Sequence, residues 1–240
     1  MKKTGILIIL VFLKITSFAQ VKDVHFEHVS VEQGLSNSVV RDIIQDSQGF
    51  MWFATDDGLS KYDGYAFTIY RYNPLDTASL ISSFVNVIFE CCDSTLWVGT
   101  DDGLQFFDFD QESFQATNIT HNLRVIAELS ENEIVTGGDG GLRILEKNKL
   151  SVTSITTGEG LPNNQINDIL PVSENKVLIA SSGYLYALNI ETHEISILLR
   201  AENKTFNCFS RDKYNNLWIG TTNGLYYYDN VHKTYRLFRN

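Results

Sequence analysis

The stretch LWVGTDDGLQFFD (96–108) decides how this chain folds, because it is written more than once. MWFATDDGLSKYD (51–63) precedes it and LWIGTTNGLYYYD (217–229) follows it. A phrase repeated this closely either performs one chemical step several times or builds one structural unit several times. Alignment on the tryptophans Trp52, Trp97 and Trp218 brings out two degenerate copies between them. IVTGGDGGLRIL (134–145) puts Val135 at the anchor, and VLIASSGYLYAL (177–188) puts Leu178 there. The five anchors are separated by 45, 38, 43 and 40 residues. A period of roughly 40 residues belongs to a four-stranded propeller blade.

Each unit has the same internal grammar. Nine residues before the anchor sits an apolar residue: Ile43, Ile88, Ile126, Ile169 and Phe209. A polar turn follows, such as DSQG (46–49) or DKYNN (212–216), then the anchor strand and a tight turn at Gly58, Gly103 or Gly224. Two further strands close the unit, the last rich in aromatic residues: AFTIY (66–70), SFQATNI (113–119), TYRLF (234–238). Short strands at regular spacing with no helical periodicity predict an all-β fold. The reading is a β-propeller of four-stranded blades, about five repeats, at 36–72, 80–119, 122–157, 162–200 and 204–240. They form one repeat domain over 20–240, with an outer strand at 24–31 that would complete the last blade of a closed ring.

Within the phrase, each residue type has a structural job. Asp102-Gly103 is expected to supply the positive φ angles of a two-residue hairpin turn. Gly99 leaves room where backbones approach closely. Trp97 is a large apolar wedge between blades, so Trp97 and Trp218 are expected to be buried at equivalent positions. The phrase therefore reads as a building element.

Composition narrows the function classes. The formal charge is 19 − 29 = −10, and no basic footprint is present to neutralise phosphates, so no nucleic-acid partner is expected. MKKTGILIILVFLKITSFAQ (1–20) opens with Lys2 and Lys3, runs apolar from Ile6 to Leu13 and places Ser17 and Ala19 at signal-peptidase positions. A cleaved signal over 1–19 is favoured over an uncleaved anchor, because the run falls short of the ~20 residues a membrane helix needs. Cleavage leaves 16 − 29 = −13 on an exported chain. Cys91, Cys92 and Cys208 have neither disulfide-framework nor zinc-like spacing and read as buried free thiols, with a bridge from Cys208 left open.

GLSNSVVRDIIQDSQGFMWFATDDGLSKYDGYAFTIY (34–70), LWVGTDDGLQFFD and LWIGTTNGLYYYD resemble the two-component regulator propeller repeat. The resemblance covers 24–240 and implies the exported, periplasmic sensor region of a Bacteroidetes hybrid two-component histidine kinase. It further implies glycan fragments as ligands and control of polysaccharide-degradation genes. Downstream propeller, membrane and kinase modules are implied as partners, with a homodimer in the full-length protein. The five repeats depart from the seven blades usual in that family, which suggests an incomplete ring. A truncated gene or gene fragment is the leading explanation and a stand-alone five-blade propeller the second. An open arc would expose apolar faces on its first and last blades.

Chemical readings of individual residues compete with this structural one. Asp56-Asp57 and Asp101-Asp102 occupy the same turn in repeated units, which is turn chemistry before it is catalysis. His193 lies in strand-like HEISILL without the helix a phosphoacceptor needs, and no nucleotide loop or nucleophile elbow occurs. No catalytic residue, metal site or cofactor is expected. Residues leading into the innermost strands line a propeller's channel, so Asn37, Arg41, Asn163, Asn164 and Asn167 are the candidate ligand-binding residues. Arg41 would hold a carboxylate or sulfate by a bidentate fork, or pair with Asp42 or another channel acid. A glycan-sensing propeller leads; a propeller lyase or hydrolase and a structural interaction platform are the alternatives.

Overall fold

A strand with apolar residues on both faces, as in Leu96-Trp97-Val98, is stable only if a second sheet covers each face. The computed structural model, which describes residue 26 and residues 28–239, arranges the chain that way. Strands β1 (Val40–Gln45), β2 (Met51–Thr55), β3 (Gly58–Tyr62) and β4 (Phe67–Tyr70) form the first antiparallel blade in the order β1-β2-β3-β4. β5 (Val85–Glu90), β6 (Leu96–Thr100), β7 (Leu104–Asp108) and β8 (Ser113–Ala116) form the second. β9 (Leu123–Ser130), β10 (Glu133–Gly138), β11 (Gly141–Glu146) and β12 (Ser151–Ile155) form the third.

The fourth and fifth blades are joined in one continuous ladder. It runs β13 (Ile166–Ser173), β14 (Lys176–Asn189), β15 (Ile195–Arg211), β16 (Leu217–Thr221), β17 (Gly224–Asp229), β18 (Thr234–Phe238). β14 folds back on itself: Gly183 has φ +80° and the Ile190 N–H donates to the Asn175 carbonyl at 2.9 Å. Its first half pairs with β13 and its second half with the start of β15, whose end then pairs with β16 as the innermost strand of blade five. Sequence explains the difference. The fourth copy reads SSGY where the others read DDG, TNG or GDGG, so its turn is displaced by one residue.

The anchors occupy one register. Trp52 stands opposite Lys61, Trp97 opposite Phe106, Val135 opposite Ile144 and Trp218 opposite Tyr227. Each of the first four faces the following blade. Trp52 packs with Leu96, Val98 and Phe107; Trp97 with Leu123, Ile126 and Ile134; Val135 with Ile166 and Ile179. Leu178 lies against the cluster containing Leu217 and Ile219. The residues flanking an anchor face the preceding blade, so strand alternation alone cements two interfaces per blade.

Several expectations need correction. Trp97 is buried, but Trp218 is only half-buried, because no described residue of a further blade covers it. Gly58, Gly103 and Gly224 take positive φ, yet Asp102 does not, so these are not turns with two left-handed residues. Instead the Thr55, Thr100 and Thr221 hydroxyls donate across the turn to the glycine carbonyls at 2.8, 3.1 and 2.8 Å. Glycine is required for a second reason: a Cβ at Gly103 would lie 2.1 Å from the Ile119 carbonyl oxygen. Of the outer strand read at 24–31, residues 26 and 28–30 form no ladder and Val31–Gln33 is a single 3-10 turn capped by Ser30. Cys91 is buried, but Cys92 and Cys208 are exposed, and all three are free. The signal reading at 1–19 lies outside the described residues. Among the described residues, no helix is long and apolar enough to cross a membrane.

Candidate ligand-binding cleft

Eleven residues before each anchor stands a polar residue: Arg41, Asn86, Arg124, Asn167 and Asn207. The ladder between innermost strand and anchor strand skips each of them. Val40 pairs with Thr55 and Asp42 with Ala54, passing over Arg41; the same break falls at Asn86, Arg124, Asn167 and Asn207. A bulge leaves one residue unpaired, bends the strand and re-aims its side chain. The fold thus repeats one irregularity five times, each time at a polar residue. The innermost strands of successive blades pack side by side, β1 with β5, β5 with β9, β9 with β13 and β13 with β15.

Where the first three converge, a cleft of about 560 Å³ is lined by Val39, Val40, Arg41, Asn86, Asn122 and Arg124. The Asn86 side-chain amide Nδ2 donates to Asn122 Oδ1 at 3.4 Å. Arg41 pairs with Asp56 of its own blade, and Arg124 with Asp139 of its own blade at 2.7 Å. Asp56 and Asp139 both stand four residues after their anchors, as does Asp101 in the blade between. There the bulge residue is Asn86, and one buried Asp101 oxygen, Oδ1, has no hydrogen-bond partner among the described residues.

The other sequence candidates have local partners. Asn37 Oδ1 accepts from the Val39 N–H and Asn163 Oδ1 from the Gln165 N–H, both at 2.8 Å, so each shapes the turn into an innermost strand. Asn164 accepts from the Thr157 N–H at 2.7 Å. Asn167 donates to the Phe206 carbonyl of the next blade at 2.8 Å. The structure therefore brings Arg41 together with Asn86, Asn122 and Arg124, and not with Asn163, Asn164 or Asn167. Asn86 and Arg124 carry a signal in sequence only through their eleven-residue offset from the anchors, and Asn122, thirteen residues before Val135, does not share it. Arg41 meets a channel acid, but that acid is Asp56. Asp42 instead accepts from the Ile88 N–H of blade two at 3.0 Å, as Asp168 accepts from the Phe209 N–H of blade five at 2.6 Å. Burial pushes both carboxyls above the ordinary carboxylate value, against the pull of those N–H groups.

The remaining polar features serve the blades. Trp52 Nε1 donates to the buried Asp46 carboxylate at 2.7 Å. Cys91 stands at that place in blade two, leaving Trp97 Nε1 buried without a partner among the described residues, while desolvation pushes the Cys91 thiol up to about 12. The Ser47 N–H donates to the Glu90 carboxylate and the Cys92 N–H to that of Glu128, the same blade-to-blade stitch used twice. His193 sits exposed in the turn before β15 with φ +60°.

Comparison with known proteins agrees with this architecture. A family model described as two component regulator propeller matches residues 34–57 and 201–223. Histidine kinase P4 of Formosa agariphila is 43% identical over 82 residues, which cover 33% of this chain and 6% of that protein. The extracellular domain assigned to a hybrid two component system of B. thetaiotaomicron matches with TM-score 0.66 and 25% identity, over 89% of this chain and 36% of that one. The extracellular domain assigned to a one component system of the same organism matches with TM-score 0.77 at 21% identity, over 88% of this chain and 33% of that one. The chain thus spans about a third of those domains and a small part of the kinase. Repeat phrase, blade register and similarity agree: the chain carries two-component regulator propeller repeats.

Proposed function

We propose that this chain is a ligand-sensing part of the exported, periplasmic region of a two-component sensor, and that glycan fragments are its ligands. The observation that carries the reading is the match over 89% of the chain to the extracellular domain of a hybrid two component system, with the blade repeat that underlies it. Signalling requires ligand binding to be converted into a shift between conformations, not into product. The convergent groups of the cleft suit that role: two ion-paired arginines and two amides, with no nucleophile beside a base. Kinase chemistry and gene control would then belong to modules beyond the propeller.

Incubation of the purified protein with a panel of oligosaccharides, followed by calorimetry and mass spectrometry, tests the reading. Binding with every oligosaccharide recovered intact is the expected result. Release of shortened or unsaturated products would instead make the chain a propeller hydrolase or lyase. Absence of binding across the panel would leave the interaction-platform alternative.

A further inference from the structure

The glycan-sensing reading leaves open which part of a sugar the cleft would grip, and the inference here rests on that reading. We propose that the cleft of Arg41, Asn86, Asn122 and Arg124 is a subsite for neutral, polyhydroxylated saccharide rather than for a sulfate or carboxylate group. The cleft carries no excess of positive charge. Both arginines are matched by carboxylates of their own blades, Asp56 and Asp139, and Asp101 adds a further negative charge between them. An anion entering the cleft would meet no net positive field, and each guanidinium it approached would bring an aspartate with it.

The hydrogen-bonding inventory points the same way. A guanidinium has five N–H donors, and each arginine gives its carboxylate one nitrogen: Arg41 through Nε, Arg124 through Nη2. Arg124 Nη1 is buried without a partner among the described residues, as is Asp101 Oδ1. Asn86 and Asn122 each offer a donor and an acceptor, joined to one another only by a long 3.4 Å contact. The side chains lining this cleft of about 560 Å³ thus offer both donors and acceptors. Vicinal hydroxyls, each able to donate and accept, answer such a surface; a sulfate, which only accepts, does not. Phe84 adds an apolar face. It stands immediately before β5, at the place that the cleft residues Val39 and Asn122 hold before β1 and β9, and it is 46% exposed beside the cleft lining rather than within it. Sugar rings present C–H faces that pack on exposed aromatic rings.

Isothermal titration of the full chain with three probe sets tests the proposal: neutral xylo-, manno- and galacto-oligosaccharides, oligogalacturonates, and sulfated galactan oligosaccharides. A neutral probe should bind more tightly than its acidic counterparts. Asn86→Ala and Asn122→Ala should each weaken that binding at least tenfold with an unchanged melting temperature, and Lys213→Ala should leave it alone. Arg124→Lys keeps the charge beside Asp139 but loses the planar fork, and should weaken binding at least fivefold even if an alanine variant proves unstable. Tighter binding of the acidic probes would overturn the ligand class while leaving the sensing reading intact. Unaltered binding in both asparagine variants would place the site elsewhere, again without harming that reading. No oligosaccharide binding at all would remove both.

Discussion

Blade two and blade five are built from nearly the same words, LWVGTDDGLQFFD and LWIGTTNGLYYYD, and are buried very differently. Leu104 is fully buried, as are its counterparts Leu59, Leu142 and Leu185, whereas Leu225 of blade five is 37% exposed. The opposite face shows the same effect at the other end. Ile88, Ile126 and Ile169 are buried against the preceding blade, while Ile43 of blade one is 51% exposed. Identical chemistry thus gives opposite environments according to whether a neighbouring blade is described on that side. A blade's core is not inside the blade. It lies between blades, and each repeat contributes half of two interfaces.

This contrast can be broken by mutation. The largest difference should come from the tryptophans. Trp97→Ala should cost about 3–5 kcal/mol in denaturant unfolding, because it empties the contact with Leu123, Ile126 and Ile134. Trp218→Ala, with one face open, should cost less than about half of that. Equal losses would mean that burial between blades is not what stabilises the anchors. A leucine pair sharpens the point with smaller side chains: Leu142→Ala is expected to lose about 2–5 kcal/mol and Leu225→Ala about 1 kcal/mol or less.

A finer comparison sets blade one against blade two. Asp46→Ala leaves the buried Trp52 indole N–H without its acceptor and should cost about 1–3 kcal/mol. Cys91→Ala, at the same place beside an indole that already lacks an acceptor, should cost less. Chemical denaturation of both variants checks the order. The smallest effect concerns pH. Asp168 has its carboxyl raised by burial, so the folded state disfavours its ionised form. Its contribution to stability is fully present below the ordinary value of 3.8 and falls as pH rises through the raised value. Asp168→Asn should reduce that slope in the stability–pH curve, leaving the share of Asp42, which is raised in the same way, and a variant with an unchanged slope would assign it to other groups.

How much of this was legible in the sequence depends on what kept period with the anchors. The all-β class, the repeat and the anchor register were readable because Trp52, Trp97 and Trp218 recur with the same turn and flanking alternation. The burial of Trp218 was not, because it depends on a neighbour that a single repeat does not specify. The turn chemistry was half legible. Glycine at 58, 103 and 224 announced a positive φ, but the threonine three residues earlier, which closes the turn, went unread. The cleft was harder still. Arg41 stood out as the basic residue of its strand, while Asn86 and Arg124 look ordinary until the bulge register aligns them and Asn122 until the fold brings it beside Asn86. Asn37 and Asn163 drew attention by their place before innermost strands and proved to shape turns. An asparagine before a strand fits both roles, and only its partners distinguish them.

Stability resides in the faces between blades, so that the same strand is firm where blades cover both its faces and looser where a described blade covers only one. Native-state hydrogen exchange across β6 (Leu96–Thr100) and β16 (Leu217–Thr221) tests it most directly, because the two strands are paired on both sides in equivalent registers. β6 amides should exchange only with global unfolding, whereas β16 amides should open through a local unfolding of blade five at lower free energy. Equal protection of β6 and β16 would contradict it.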